Sequence, residues 1–128
     1  MNYYLVDTHA LLWMMFEPKK LSQNVRKILA DKNLHKFVSI TSLWEMSIKN
    51  RIGKLPLPMG VSEIFSRVSS LGVGHVGMCQ SYIETYNALP LLHRGPFDGI
   101  IIATAISEGM TIVTADENMQ KYDVPWIW

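Results

Sequence analysis

At 128 residues, with 48% hydrophobic and 18% charged, the chain has the make-up of one globular domain rather than a disordered segment. A net charge of +1 leaves no whole-molecule basic field to announce nucleic acid, and a lone cysteine, Cys79, excludes a disulfide framework or a cysteine-rich zinc site. The densest apolar stretch, residues 10–16, is far short of the ~20 needed to span a bilayer, and the opening residues carry no basic n-region, so the expectation is a cytoplasmic chain of one domain over 1–128 with no membrane partner.

The apolar run YYLV predicts a short buried strand over 3–6, and ALLWMMF starts a helix at Ala10. Asp7 falls between them, an acid at a junction that should be buried. A helix follows over 21–29, with Leu21, Val25, Ile28 and Leu29 spaced for one face, then a strand over 36–40. Residues 42–52 carry Leu43, Met46 and Ile48 at helical spacing. Residues 61–71 place Val61, Ile64, Phe65, Val68 and Leu71 on a single side. A strand over 73–76 precedes a helix over 79–89. The helix over 97–109 is apolar almost all round, which places it in the middle of the fold, and Gly109 is its natural stop. Strands over 111–114 and 124–128 close the chain. Strands alternating with helices predict a three-layer α/β/α domain with a central, mostly parallel sheet, whose ligands bind beyond the carboxyl ends of the strands.

Four acids fall at that rim. Asp7 follows the first strand, Glu45 lies one turn into the helix after the second, Asp98 opens the Ile-rich helix and Asp116 follows the strand over 111–114. Each has an ordinary explanation. The three aspartates suit helix N-caps, Ser42-Leu43-Trp44-Glu45 has the pattern of a capping box, and Glu45 stands four residues before Lys49. Taken together, carboxylates on one rim repel one another unless a cation or shared protons compensate. Oxygen donors without histidine or cysteine suit Mg²⁺ or Mn²⁺, one or two ions, and the hydrolysis of phosphate esters.

The stretches around these acids, LVDTHALLW, SLWEMSIKNRIGKLPL, LPLLHRGPFDGIIIATAISEG and MTIVTADENMQKYDVPWIW, resemble in order the four acidic motifs of the PIN-domain nucleases. They resemble most closely those of VapC-type ribonuclease toxins of toxin–antitoxin pairs. The resemblance implies a parallel-sheet α/β/α fold and metal-dependent endonuclease activity on RNA. It also implies a small antitoxin protein as partner, homodimers, and contact with DNA only through the antitoxin. Asp7, Glu45, Asp98 and Asp116 would be the catalytic, metal-holding acids. Two positions depart from the pattern: Gly95 stands where this branch commonly has an acid, and Gly99 where it commonly has an arginine.

Around these acids, Thr8 and Thr114 are candidates to hydrogen-bond the carboxylates, with plain capping hydroxyls as the alternative. Arg94, Lys49, Arg51 and Lys54 are candidates to position RNA phosphates, against the plain reading of a solvated helix face. Trp13 and Trp44 suit base stacking but fit core or interface better. Hydrolysis without a 2′-hydroxyl nucleophile predicts a 5′-phosphate product. Two motifs are decoys. The G-x-G-x-x-G of residues 72–77 follows a helix rather than a strand, which excludes a dinucleotide site, and the four histidines lack metal-ligand spacing. Other readings of the same acids are a metal-dependent phosphatase-like α/β protein, and a catalytically weakened module that only binds antitoxin or RNA.

Overall fold

The computed structural model describes residues 3–92 and 95–128. Strand β1 (Tyr3–Val6) lies in the middle of a five-stranded sheet and is apolar on both faces: Leu5 and Val6 are both fully buried, in two different cores. It pairs in parallel with β2 (His35–Ser39), Leu5 opposite Phe37, and with β4 (Thr111–Val113), Leu5 opposite Ile112. Strands β3 (Val73–Val76) and β5 (Trp126–Ile127) extend the sheet in parallel to the order β3-β2-β1-β4-β5. Every strand therefore ends at the same edge, and the order reverses beside β1, where ligand crevices form in such sheets.

Helices cover both faces. One core joins Val6, Val38 and Val113 to α1 (Thr8–Phe16), α2 (Gln23–Ala30), α3 (Ile40–Arg51) and α4 (Val61–Ser70), through Leu11, Val25, Met46, Ile64 and Val68. The other joins Leu5 and Ile112 to α6 (Pro96–Glu108) and α7 (Glu117–Gln120), through Ile101, Ile102, Ala105 and Met119. Helix α5 (Gln80–Ala88) lies outside α6 and is clasped to it by Tyr82 Oη donating to Glu108 Oε1 at 2.9 Å and by Thr85 and Ser107 hydroxyls 2.9 Å apart. The three layers expected from the strand–helix alternation are present.

Local chemistry sets the helix ends. Ser22 Oγ accepts from Val25 N at 3.1 Å and caps α2. Ser22→Ala is expected to lower stability by about 1 kcal/mol, read as a reduced urea midpoint with unchanged slope. Gly109, at φ +68, ends α6 in the left-handed region as predicted. Gly72, at φ +78, does the same after α4, and Gly74 lies so close to Phe37 that a Cβ would come within 2.9 Å of its ring. Two of the three glycines of the G-x-G-x-x-G stretch thus serve a helix stop and strand packing.

Several expected details differ. Helix α3 starts at Ile40, not Ser42, because Ser39 Oγ already accepts from Thr41 N at 3.1 Å; the predicted capping box does not form, and Ser42 is buried inside the helix. Asp98 is not the N-cap of α6: Gly95 holds that position, Pro96 opens the helix, and Asp98 stands in its first turn. The last strand shrinks to two residues. The 3₁₀ turn Pro18–Lys20 and helix α7 carry no periodicity long enough to be read from sequence.

Candidate active site

Asp7 is where the parallel sheet concentrates its polarity. It leaves β1 at the carboxyl edge, with 3% of its surface exposed, and caps α1 by accepting from Ala10 N at 2.7 Å. Its second oxygen, Oδ2, accepts a short hydrogen bond from the Thr114 hydroxyl. Thr114 Oγ1 in turn accepts the Asp116 N–H at 3.0 Å, so one threonine, itself fully buried, ties the end of β1 to the start of α7. Asp116 caps α7 through a 2.8 Å bond from Asn118 N.

Asp7 is not electrostatically at ease. Burial pushes the Asp7 carboxyl up to about 6. The Thr114 hydroxyl, the Ala10 N–H and His9 pull in the other direction, and the charge of Asp98 adds to the rise. Asp98, in the first turn of α6, is thus near enough for its charge to be felt at Asp7. Asp7 and Asp116 line one cavity of about 280 Å³, together with His9, Trp13 and Ala115.

Glu45 is buried but differently served. Its Oε2 pairs with Lys49 at 2.6 Å, the predicted i,i+4 bridge. Its Oε1 accepts from the Thr8 hydroxyl at 2.9 Å, and that hydroxyl is also 2.9 Å from Ser42 Oγ. Glu45 thus reaches the Asp7 neighbourhood through Thr8, with its charge already balanced by Lys49. Among the described residues, no three of His, Cys, Asp and Glu are grouped closely enough to hold one ion. Mg²⁺ commonly takes one or two carboxylates and keeps several waters, which suits a pair of acids better than a closed cage. The donor set fits such an ion: hard oxygens only, one buried carboxylate under desolvation strain, and a second on the same cavity.

Of the predicted RNA-binding residues, Arg51 and Lys54 are exposed, and Lys49 is committed to Glu45. Arg94 lies outside the described residues. Trp13 packs against the first core and stacks edge-on with Trp128 at 5.6 Å. Trp44 is 59% exposed and meets Phe97 edge-to-face at 5.5 Å. Two residues at the site escaped sequence reading. Ser42 looked like a cap. His9 was set aside for lack of ligand spacing, although its place two residues after Asp7, in the first turn of α1, was the available signal.

The glycine at position 99 has a steric reason. A Cβ there would sit 2.3 Å from Tyr86 Cε1 and 2.8 Å from Cδ1, because the Tyr86 ring lies on the backbone of α6. Gly99→Ala is expected to cost roughly 1–3 kcal/mol by overpacking, measured by thermal unfolding, and Tyr86→Ala in the same chain should recover part of the loss.

Residues 4–125 match the PIN domain family. The chain is 31% identical over 130 residues to Ribonuclease VapC22 of Mycobacterium tuberculosis, covering 98% of this chain and 95% of that protein. Its fold is similar to that in the VapBC2 structure from Rickettsia felis, bound to a promoter DNA fragment, with a TM-score of 0.73 at 17% identity, covering 98% and 97% of the two chains. It is also similar to DNA-bound VapBC from Salmonella typhimurium (TM-score 0.65, 14% identity, 99% and 98% covered) and to FitAcB from Neisseria gonorrhoeae (0.63, 17%, 98% and 96%).

Proposed function

Because the chain belongs to the PIN domain family, we propose that it is a metal-dependent endoribonuclease toxin held inactive by a cognate antitoxin. The observation that carries this reading is Asp7: a buried carboxylate at the carboxyl edge of β1, raised to about 6, sharing a cavity with Asp116 and near enough to feel the charge of Asp98. A buried carboxylate whose charged form is disfavoured by desolvation gains from a bound cation. Asp7 and Asp116 would hold Mg²⁺ or Mn²⁺, one or two ions, with Asp98 and Glu45 as further acids beside them, Glu45 acting through Thr8. The ion would supply an activated water and offset charge on the phosphate.

The chain's own residues have distinct parts. Thr114 holds Asp7 and Asp116 in register through its donated and accepted bonds. Thr8 links Glu45 to the start of α1, and Lys49 pairs with the other oxygen of Glu45. Arg51, Lys54 and Arg94 would steer RNA phosphates. Cleavage would release a 3′-hydroxyl and leave a 5′-phosphate; a 2′,3′-cyclic product would contradict it. Thr114→Val is expected to lower kcat about 10–100-fold with KM little changed, as for other groups that orient metal-holding residues, and Thr114→Ser should restore most of it. Equal loss in the serine variant would reject the hydroxyl as the cause.

The antitoxin reading draws on a structural neighbour that is a toxin-antitoxin complex from Klebsiella pneumoniae, and on α1. Its Leu12, Trp13 and Phe16 are only half-buried and, with Leu55 and Leu57, line an apolar groove of about 300 Å³. That groove suits an apolar antitoxin segment. A homodimer, contact with operator DNA only through the antitoxin, and a cytoplasmic place complete the proposal. Among the described residues no helix is long and apolar enough to cross a membrane.

The competing reading, a binding module whose acids are only caps, rests on Asp7 and Asp116 each capping a helix. Partner-free protein incubated with a mixed RNA pool separates the two. Cleavage that appears with Mg²⁺ and disappears with EDTA supports the nuclease. A folded protein that neither cleaves nor binds Mg²⁺ supports the module, and dephosphorylation without chain cleavage would support the phosphatase-like alternative.

A further inference from the structure

We propose that a cavity beside the first turn of α6 is a subsite for one unstacked nucleobase of the RNA strand, packed against Tyr86 and read by Asn87. The inference deepens the nuclease reading and rests on it. The cavity measures about 250 Å³, and its walls include Tyr86, Asn87, Leu89, Leu91, Gly99 and Tyr122.

Its place in the fold ties it to the acids. Helix α5 runs antiparallel to α6: Tyr82 meets Glu108 at one end, and Tyr86 meets Gly99 at the other. Tyr86 and Asn87 therefore lie at the end of α6 that carries Asp98, the residue before Gly99. Tyr122 stands just beyond α7, the helix that Asp116 caps. A strand whose phosphate approached Asp98 and Asp116 would have a neighbouring base within reach of this opening.

The lining suits a base and not a phosphate. Among the described residues its lining carries no charged side chain. It offers the partly exposed Tyr86, the apolar side chains of Leu89 and Leu91, and one exposed amide with both donors and an acceptor. Single-stranded RNA is read in this way, by stacking on an aromatic face and hydrogen bonds to the base edge. Gly99 is what allows it. The ring of Tyr86 takes the space of a side chain at that position, so the arginine common in this branch, and its charge, are replaced by an uncharged aromatic wall.

The test titrates the four nucleoside 5′-monophosphates, with ribose 5-phosphate as the baseless control, into partner-free protein in Mg²⁺. Amide chemical shifts of Asn87 and Gly99 are followed. At least one nucleotide should move these signals where ribose 5-phosphate does not. Asn87→Ala, an exposed position that should not disturb folding, should weaken that nucleotide about tenfold, as expected for a lost hydrogen-bonding partner. Equal shifts with ribose 5-phosphate, or shifts confined to residues around Asp7 and Asp116, would overturn the subsite. So would silence with every nucleotide while an antitoxin segment moves the same signals. Cut-site mapping on an RNA pool then separates the two levels of the argument. If wild type cleaves and Asn87→Ala cuts with the same base preference, the subsite fails and the nuclease stands. If wild type cleaves nothing, the nuclease reading itself fails.

Discussion

Asp98→Asn is expected to cut metal-dependent RNA cleavage by roughly 10³-fold, the equivalent of several kcal/mol of lost transition-state charge stabilisation, while leaving the protein folded. The two effects separate because of where Asp98 stands. It is not the N-cap of α6; Gly95 has that place and Pro96 begins the helix without an N–H to satisfy. A carboxylate in the first turn is attracted to the helix N-terminus by about 0.3–1 kcal/mol, a small loss when its charge alone is removed and its shape kept. Removing its charge also relieves Asp7, whose carboxyl it helps to raise. Circular dichroism and the thermal midpoint should therefore scarcely change. Single-turnover cleavage with Mg²⁺ should collapse, and excess Mg²⁺ should recover little of it. A variant that cleaves at the wild-type rate would remove Asp98 from the site and favour the reading in which the acids are structural.

Much of this arrangement was legible in the sequence, for a physical reason. Residues with both faces buried must be apolar continuously, and YYLV and the Ile-rich stretch after Asp98 have no other explanation. An acid placed directly after such a run has nowhere to go but the carboxyl edge, so Asp7 and Asp116 could be placed before any coordinates. The capping of α3 was not legible, because Ser39, Thr41 and Ser42 are all competent caps and tertiary packing chose among them. Thr8 and Glu45, 37 residues apart, meet only because α1 and α3 lie together on one face of the sheet. The function of Gly99 was hidden for the same reason: alone it reads as a lost arginine, and only the ring of Tyr86, from a neighbouring helix, explains it. Pairings local in sequence can be read from spacing; those made by the sheet cannot.

The second large effect concerns stability. Asp7 has a folded-state value of about 6 against an ordinary 3.8. For a carboxyl raised in this way the native state binds more protons than the unfolded chain between those values. The stability linked to its protonation is fully present below about pH 4, falls as pH rises, and is gone above about pH 6. The loss is on the order of 3 kcal/mol for a shift of about two pH units. Without metal, the protein should unfold more easily at pH 7.5 than at pH 5 by roughly half that amount from this group, the rest having been lost already between pH 4 and pH 5. Asp7→Asn removes the charge while keeping an oxygen for the Ala10 N–H, so it should raise the thermal midpoint at pH 7.5 by several degrees and give no gain near pH 4. Mg²⁺ should reverse the order: it stabilises the wild type by binding the folded state, and the variant, lacking the buried charge, should gain much less. Differential scanning calorimetry in EDTA and in Mg²⁺ at the two pH values provides the comparison. A variant less stable than wild type at every pH would mean that the Thr114 and Ala10 bonds outweigh desolvation, so that Asp7 is held as a structural cap and not as a charge awaiting a cation.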